Sequence, residues 1–136
     1  SILEQAASGL AGKRWVIGGH SLGGAVASFF ASAHPDKTAG LFLAATTHPR
    51  DASLQGLSVP LTKIYGSMDQ ITPKATILDL AKFLPAHAEL VEVEGGIHKY
   101  FGHYGTQYDT RPGVLDRRRQ QDLFVKAALE LLRAAR

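Results

Sequence analysis

Short apolar segments alternate with helical patterns along this chain, and the alternation narrows the folds open to it. Four segments have the length and apolar character of β-strands, namely residues 15–19, 40–45, 61–65 and 88–93. Helical spacing occupies four further stretches, namely residues 2–11, 22–34, 73–83 and 116–135, whereas residues 46–59 and 94–115 have no clear period. Strands that alternate with helices usually pair in parallel and are covered on both faces, so they are continuously apolar. The sequence therefore predicts an α/β fold with a parallel sheet of about four strands flanked by helices.

Residues at the segment boundaries predict where the helices begin and end. Gly12 is a candidate C-cap for the first helix, and Pro35 should end the second. Thr72 and Pro73 have the chemistry of an N-cap and a first helical residue for the third. In the last helix, the spacing places six apolar residues on one side, namely Leu123, Phe124, Ala127, Ala128, Leu131 and Leu132.

Composition excludes several classes of protein. The 136 residues are 45% hydrophobic, which suits a single domain over residues 1–136. No apolar run approaches the roughly 20 residues that cross a bilayer, so no membrane span is expected. The chain has no Cys, which excludes disulfides, a thiolate nucleophile and Cys-built metal sites. The first residues show no signal-peptide pattern, which leaves the compartment open, with the cytoplasm as the default.

The charge pattern argues against a nucleic-acid partner. The net charge is +3, from 15 Lys and Arg against 12 Asp and Glu. Three consecutive Arg occupy residues 117–119, but Asp116, Asp122 and Glu130 interrupt the positive charge around and beyond them. Nucleic-acid-binding surfaces are usually broader basic faces. We interpret these charges as solvated ends of a helix.

The segment Gly19-His20-Ser21-Leu22-Gly23 lies directly between a predicted strand and a predicted helix. It matches the G-x-S-x-G pattern, in which a serine occupies a sharp strand-to-helix turn and its hydroxyl is raised above the sheet. Side chains two residues before or after such a serine should collide, which explains the glycines. The pattern predicts a nucleophile at Ser21, and the alternative is a Gly/Ser turn without chemistry.

A serine nucleophile needs a base, and the base needs a third group to orient it. Asp69 follows the third predicted strand and His98 follows the fourth, which gives the chain order Ser, Asp, His. Parallel sheets gather functional residues at the carboxyl ends of their strands. The competing acids are Asp51 in a loop and Asp79 in a helix, the competing base is His103, and Asp69 is alternatively only a turn or cap residue.

Three motifs give the chain a resemblance to the α/β-hydrolase superfamily. They are GGHSLGG at 18–24, YGSMDQITP at 65–73 and GGIHKYFGHYG at 95–105. The third is similar to a segment of bacterial proteins related to dienelactone hydrolases and small carboxylesterases. The resemblance implies that Ser21 is the nucleophile, His98 the base and Asp69 the acid. It also implies that the backbone N–H of Leu22 is one donor of the oxyanion hole.

The resemblance extends only to the C-terminal half of the usual domain. A typical member has about eight strands, and the loop that supplies the second oxyanion donor belongs to the half without a counterpart here. The strand over residues 14–18 should then have one unpaired edge, which favours association with another chain. We therefore expect a homodimer formed through this edge or its flanking helices.

The function expected from these residues is hydrolysis of carboxylic esters, with short-chain or aryl esters favoured. No cofactor and no metal are expected. Met68, Tyr100 and Phe101 are candidates for the wall of an apolar pocket, although the aromatic residues are equally suited to packing their loop. His20, next to Ser21, is a further candidate contact for substrate. The alternative function is a catalytically silent fragment that acts as a binding or interaction module.

Overall fold

A computed structural model describes residues 12–104 and 114–136, together with Gln5 and Ser8. Its centre is a four-stranded parallel sheet in the order β1-β2-β3-β4. The strands are β1 (Trp15–His20), β2 (Thr38–Ala44), β3 (Leu61–Gly66) and β4 (Glu89–Val93). This architecture confirms the predicted α/β fold with a parallel sheet of about four strands.

Helices cover both faces of the sheet. The α-helices are α1 (Leu22–Ala33), α2 (Lys74–Asp79) and α3 (Arg117–Ala134). Short 3-10 helices span Pro35–Lys37, Leu80–Phe83 and His98–Phe101. The helix predicted over residues 2–11 lies outside the described residues, apart from Gln5 and Ser8, which are helical.

The third predicted helix differs from the sequence-based expectation at its beginning and in its second half. Its α-helical part is only α2, and a 3-10 turn continues the chain to Phe83. The N-cap is Pro73 rather than Thr72, because the Thr72 hydroxyl donates to the carboxylate of Asp69. The Thr72 side chain is thus turned back toward Asp69 in the same loop, and the first turn of α2 has no side-chain cap.

Successive residues of β2 and β3 face opposite sides of the sheet and so build two cores. Leu41, Leu43 and Leu61 pack on the α1 side, together with apolar residues of the 54–59 loop. Phe42 and Ile64 pack on the α3 side, where the helix contributes Ala127 and Leu131. Both strands are almost entirely buried, as their apolar sequences predict.

The edge strand β1 is less buried than its sequence predicts. Within the described part of the chain β1 pairs only with β2, and the side chain of Val16 is 36% exposed. The expectation that β1 is buried on both faces was therefore wrong for this sheet, because the strand lies at an edge. Leu132 was likewise expected on the buried side of the last helix but is 47% exposed.

None of the helices among the described residues combines the length and the apolar character needed to cross a membrane.

We propose that the unpaired edge of β1 joins two copies of the chain. Two copies related by a twofold axis would pair their β1 strands and satisfy backbone groups that an edge strand leaves open. A Val16→Lys substitution should favour the monomer, because charged side chains on an edge oppose strand pairing. Val125→Lys on the exposed side of α3 is the matched control.

Sedimentation velocity at micromolar concentrations tests the dimer. We expect the parent and Val125→Lys to sediment as dimers and Val16→Lys as a monomer. A parent that stays monomeric at high micromolar concentration contradicts the proposal.

Candidate active site

The three residues singled out by sequence follow three different strands at the same edge of the sheet. Ser21 comes directly after β1, Asp69 lies in the loop after β3, and His98 begins the 3-10 turn after β4. Because all four strands are parallel, these loops lie together at the carboxyl ends of the strands.

Ser21 occupies a strained turn between β1 and α1. Its φ of 52° lies in the left-handed region, which costs a non-glycine residue about 1–3 kcal/mol. The turn is held by the Ser21 N–H, which donates to the Ala44 carbonyl at 2.9 Å, and by the Ser21 carbonyl, which accepts from Ala25 at 3.2 Å. Leu22 follows as the first residue of α1, where a backbone N–H has no acceptor within its own helix.

Close approach to neighbouring atoms requires glycine at two of the positions around Ser21, Gly19 and Gly24. A Cβ at Gly19 would overlap the backbone of Gly23, and one at Gly24 would lie 2.7 Å from Cγ2 of Thr46. A Cβ at Gly23 itself would meet nothing within 4 Å. The expectation that both flanking glycines avoid side-chain collisions therefore holds for Gly19 and is wrong for Gly23, which contributes its backbone to the contact.

The carboxylate of Asp69 is buried and saturated with hydrogen bonds. Oδ1 accepts from the backbone N–H of Ile71 at 2.8 Å and of Thr72 at 2.7 Å, and Oδ2 accepts from the Thr72 hydroxyl. Burial alone would raise the pKa of this carboxyl, but the hydrogen bonds from His98 and Thr72 outweigh it, and the pKa lies below its ordinary value. Asp69 therefore carries a negative charge at neutral pH.

His98 is buried and contacts that charge directly. Its Nδ1 lies 2.8 Å from Oδ2 of Asp69. Backbone bonds tie the two loops together, since the Met68 N–H donates to the Gly96 carbonyl at 3.0 Å and the Gly95 N–H donates to Oγ of Ser67 at 2.8 Å. The Asp69–His98 pair is thus held by the loops as well as by its own hydrogen bond.

His20 connects the serine turn to His98. Its ring centroid lies 4.6 Å from that of His98, and its Nδ1 lies 2.8 Å from the hydroxyl of Tyr104. Burial, followed by the proximity of His98, lowers the pKa of His20 to about 4; the His98 backbone and the Asp69 charge offset only part of this. His20 is therefore neutral at physiological pH.

The three candidates for the wall of an apolar pocket differ in their burial and in their neighbours. Met68 is half-buried beside Asp69, and Tyr100 lies beneath the guanidinium of Arg117 at 5.2 Å from its ring centroid. Phe101 is buried in the core on the α3 side, with its ring centroid 6.0 Å from that of His20.

The competing residues lie elsewhere. Asp51 and Asp79 are solvent-exposed and pair with surface groups, with His48 and Lys82 respectively among their partners. His103 is exposed. Among the described residues, no group of three His, Cys, Asp or Glu side chains is arranged to hold a metal ion.

The sequence analysis did not single out Gln120 and Lys63, two buried polar residues on α3 and β3. Gln120 on α3 is fully buried and bonds the backbone of Ile97, beside His98. Lys63 on β3 is fully buried and donates to the His48 carbonyl at 3.0 Å, and burial lowers its pKa to about 8. Lys63 could have been noticed from the sequence, because a lysine is unusual inside a mainly apolar strand. Gln120 could not, because it lies among polar residues at the start of a helix.

Comparison with family models decides the relationship of this chain. A model described as the alpha/beta hydrolase family matches residues 3–122. The chain belongs to the alpha/beta hydrolase family. A search of curated proteins finds no significant match.

Solved structures share the fold of this family member at low sequence identity. A predicted CIB-like hydrolase from Thermoplasma acidophilum is 21% identical with a TM-score of 0.65, covering 90% of this chain and 53% of its own. An alpha-beta serine hydrolase homologue from Coxiella burnetii is 18% identical with a TM-score of 0.66, and the match covers 92% of this chain and 54% of the homologue. A thermophilic esterase from Thermogutta terrifontis is 18% identical with a TM-score of 0.69, and the match covers 96% of this chain and 68% of the esterase. This chain thus spans about half to two thirds of these structures.

Substitutions of Gly19 and Gly23 should have opposite effects on stability. We expect Gly19→Ala to lower the free energy of unfolding by about 3 kcal/mol, because its Cβ overlaps the Gly23 backbone. Gly23→Ala should raise it by up to about 1 kcal/mol, because the site is open and alanine favours the helix. Urea denaturation of both variants checks this, and equal losses would contradict the role of close approach.

The depressed pKa of His20 predicts a pH-dependent stability. The unfolded chain takes up this proton near pH 6.5 but the folded chain only near pH 4, so acidification across that window favours unfolding. We expect His20→Gln to lose less stability than the parent between pH 6.5 and 4 in urea denaturation. Exposed His103→Gln is the matched control and should follow the parent. Identical pH dependence in the parent and His20→Gln would contradict the burial effect.

Proposed function

We propose that this chain is a serine hydrolase that cleaves carboxylic esters through Ser21, His98 and Asp69. The observation that carries the proposal is the buried 2.8 Å contact between His98 Nδ1 and Asp69 Oδ2, at the sheet edge where the Ser21 turn also lies. A buried, ionised carboxylate on one nitrogen of an imidazole fixes the tautomer whose other nitrogen is a base.

Acylation would begin with proton transfer from Ser21. Asp69 accepts the Nδ1–H of His98, which leaves the Nε2 lone pair to take the hydroxyl proton as Oγ forms a bond to the ester carbonyl carbon. The C–O bond to the alcohol then breaks, and the alcohol leaves with the proton held by His98. Water deprotonated by His98 attacks the acyl-enzyme in turn, which releases the acid and restores the Ser21 hydroxyl.

The negative oxygen of the tetrahedral intermediate would meet the start of α1. The Leu22 N–H has no acceptor in its own helix, and the positive end of the helix dipole adds to its effect. A second donor is not assigned to any residue of this chain. Loss of one oxyanion donor costs about 10²–10³-fold in turnover in other hydrolases, so a modest rate is expected.

The proposed substrates are short-chain or aryl esters. The loop over 46–59 is too short for a large lid, which disfavours a deeply buried lipid site. The ester-cleaving role is supported by the fold shared with the esterase from Thermogutta terrifontis. His20, Met68, Tyr100 and Phe101 remain candidate substrate contacts, and no cofactor or metal takes part in the proposed reaction.

A second candidate function is a binding or interaction module without catalysis. It is favoured by the exposed edge of β1 and by the share of related structures that this chain spans. Such a module has no use for an ionised Asp69 aligned on His98, and for that reason we favour the hydrolase.

Hydrolysis of p-nitrophenyl butyrate by the purified chain tests the proposal. We expect turnover that Ser21→Ala reduces to the background rate, because the substitution removes the hydroxyl that acts as nucleophile in the proposed reaction. Ser32→Ala, an exposed serine at the end of α1, is the matched control and should keep the parent rate. Equal, near-background rates in the parent and Ser21→Ala would overturn the stand-alone enzyme and favour the binding module.

A further inference from the structure

The side chain of Gln120 makes two hydrogen bonds to a single residue, Ile97. Its Oε1 accepts from the Ile97 N–H at 3.0 Å, and its Nε2 donates to the Ile97 carbonyl at 2.7 Å. Gln120 is fully buried, and so is Ile97. The amide thus engages both backbone groups of one extended residue, as a neighbouring strand does in a sheet ladder.

Ile97 is the residue that sets the position of His98. It is the N-cap of the 3-10 turn His98–Phe101, and its carbonyl also accepts the turn's Tyr100 N–H at 3.3 Å. The imidazole of His98 leaves the backbone one residue after this doubly bonded point. A shift at Ile97 therefore displaces His98 relative to Asp69, which is held by its own loop.

Gln120 is itself anchored to the body of the protein. Asp116 caps α3 by accepting from the Arg119 N–H at 2.8 Å, and its carbonyl accepts from the Gln120 N–H at 3.1 Å. Further along the helix, Ala127 and Leu131 are buried in the core. The amide is therefore carried by a fixed element rather than by another loop.

The chain leaves room for this amide at Gly96. A Cβ there would lie 3.1 Å from Oε1 of Gln120 and 2.9 Å from Cγ1 of Val93. Glycine thus lets the backbone before His98 approach α3 closely, and the contact depends on both partners.

We propose that Gln120 is a positioning residue for His98, acting through Ile97. The inference rests on the proposed function, because it assigns Gln120 to the reaction that Ser21, His98 and Asp69 would carry out. It predicts that the amide acts on turnover rather than on substrate binding, since it lies behind the turn rather than in contact with substrate.

Two substitutions separate the hydrogen bonds from the volume of the side chain. Gln120→Met keeps the length of the side chain and removes both bonds. Gln120→Glu keeps the shape and, when its carboxyl is protonated, supplies one donor and one acceptor as the amide does. Gln55→Glu makes the same change at an exposed amide that donates to the Lys82 carbonyl at 2.6 Å, remote from the His98 turn, and is the matched control.

The first readout needs no activity. The Nδ1–H proton of His98 bonded to Asp69 gives a low-field NMR resonance, which we expect to shift or disappear in Gln120→Met and to stay unchanged in Gln55→Glu. In the p-nitrophenyl butyrate assay, kcat of Gln120→Met should fall about 10- to 100-fold with KM changed less than about twofold, as small misplacements of a catalytic group do.

The pH profile of Gln120→Glu gives a second, independent readout. Its kcat should approach the parent value while the carboxyl is protonated and fall as it ionises, because a carboxylate repels the Ile97 carbonyl. Burial and the carboxylate of Asp116 one turn earlier on α3 oppose the ionisation, whereas Lys99 on the turn and Arg117 on the helix promote it. The parent and Gln55→Glu should lack this alkaline loss.

Each result decides a different claim. If the parent is inactive but the His98 resonance moves in the Gln120 variants alone, the proposed function fails and the positioning role stands. A resonance and kcat unchanged in Gln120→Met overturn the positioning role. Thermal unfolding well above the assay temperature confirms that the variants are folded. If Gln120→Met does not fold, Gln120→Glu alone decides: a kcat that depends on alkaline pH as in the parent overturns the proposal.

Discussion

The hydrogen bond between Asp69 and His98 joins the loop after β3 to the turn after β4, and the surrounding contacts stabilise it from both sides. Asp69 is fixed by two backbone N–H groups and the Thr72 hydroxyl, so its charge is favoured in spite of burial. His98 is fixed from the other side, where Gln120 bonds the backbone of Ile97. Because Asp69 is buried and the groups of Ile71 and Thr72 occupy its other acceptor positions, its carboxylate holds the imidazole of His98 in one orientation.

The four-stranded sheet brings these loops together but leaves one edge unpaired within the described residues. The strained Ser21 turn is tied to β2 through Ala44, so the position of the serine depends on the β1–β2 pair at that edge. Whatever covers β1, a second copy in our proposal, would therefore also stabilise the serine turn. In the proposed dimer, the serine turn and the contact between the two copies would depend on the same strand.

The sequence was sufficient to predict the sheet, its parallel pairing and the strand ends that carry Ser21, Asp69 and His98. Apolar periodicity predicts strands well where they are central, as in β2 and β3, but burial of β1 depends on neighbours that the pattern does not specify. Local chemistry misled at Thr72, which resembles an N-cap but bonds Asp69 instead. Gln120 could not be predicted at all, because its role comes from a contact across 23 residues of chain.

Covalent labelling with a fluorophosphonate tests the central claim most directly, because such a probe reacts with a serine only when a neighbouring base activates it. Intact-mass analysis and peptide mapping of the parent and of His98→Ala give the result without a choice of ester. The account predicts one phosphonyl group per chain, attached to Ser21, and none in His98→Ala. An unlabelled parent, or labelling that survives in His98→Ala, would contradict it.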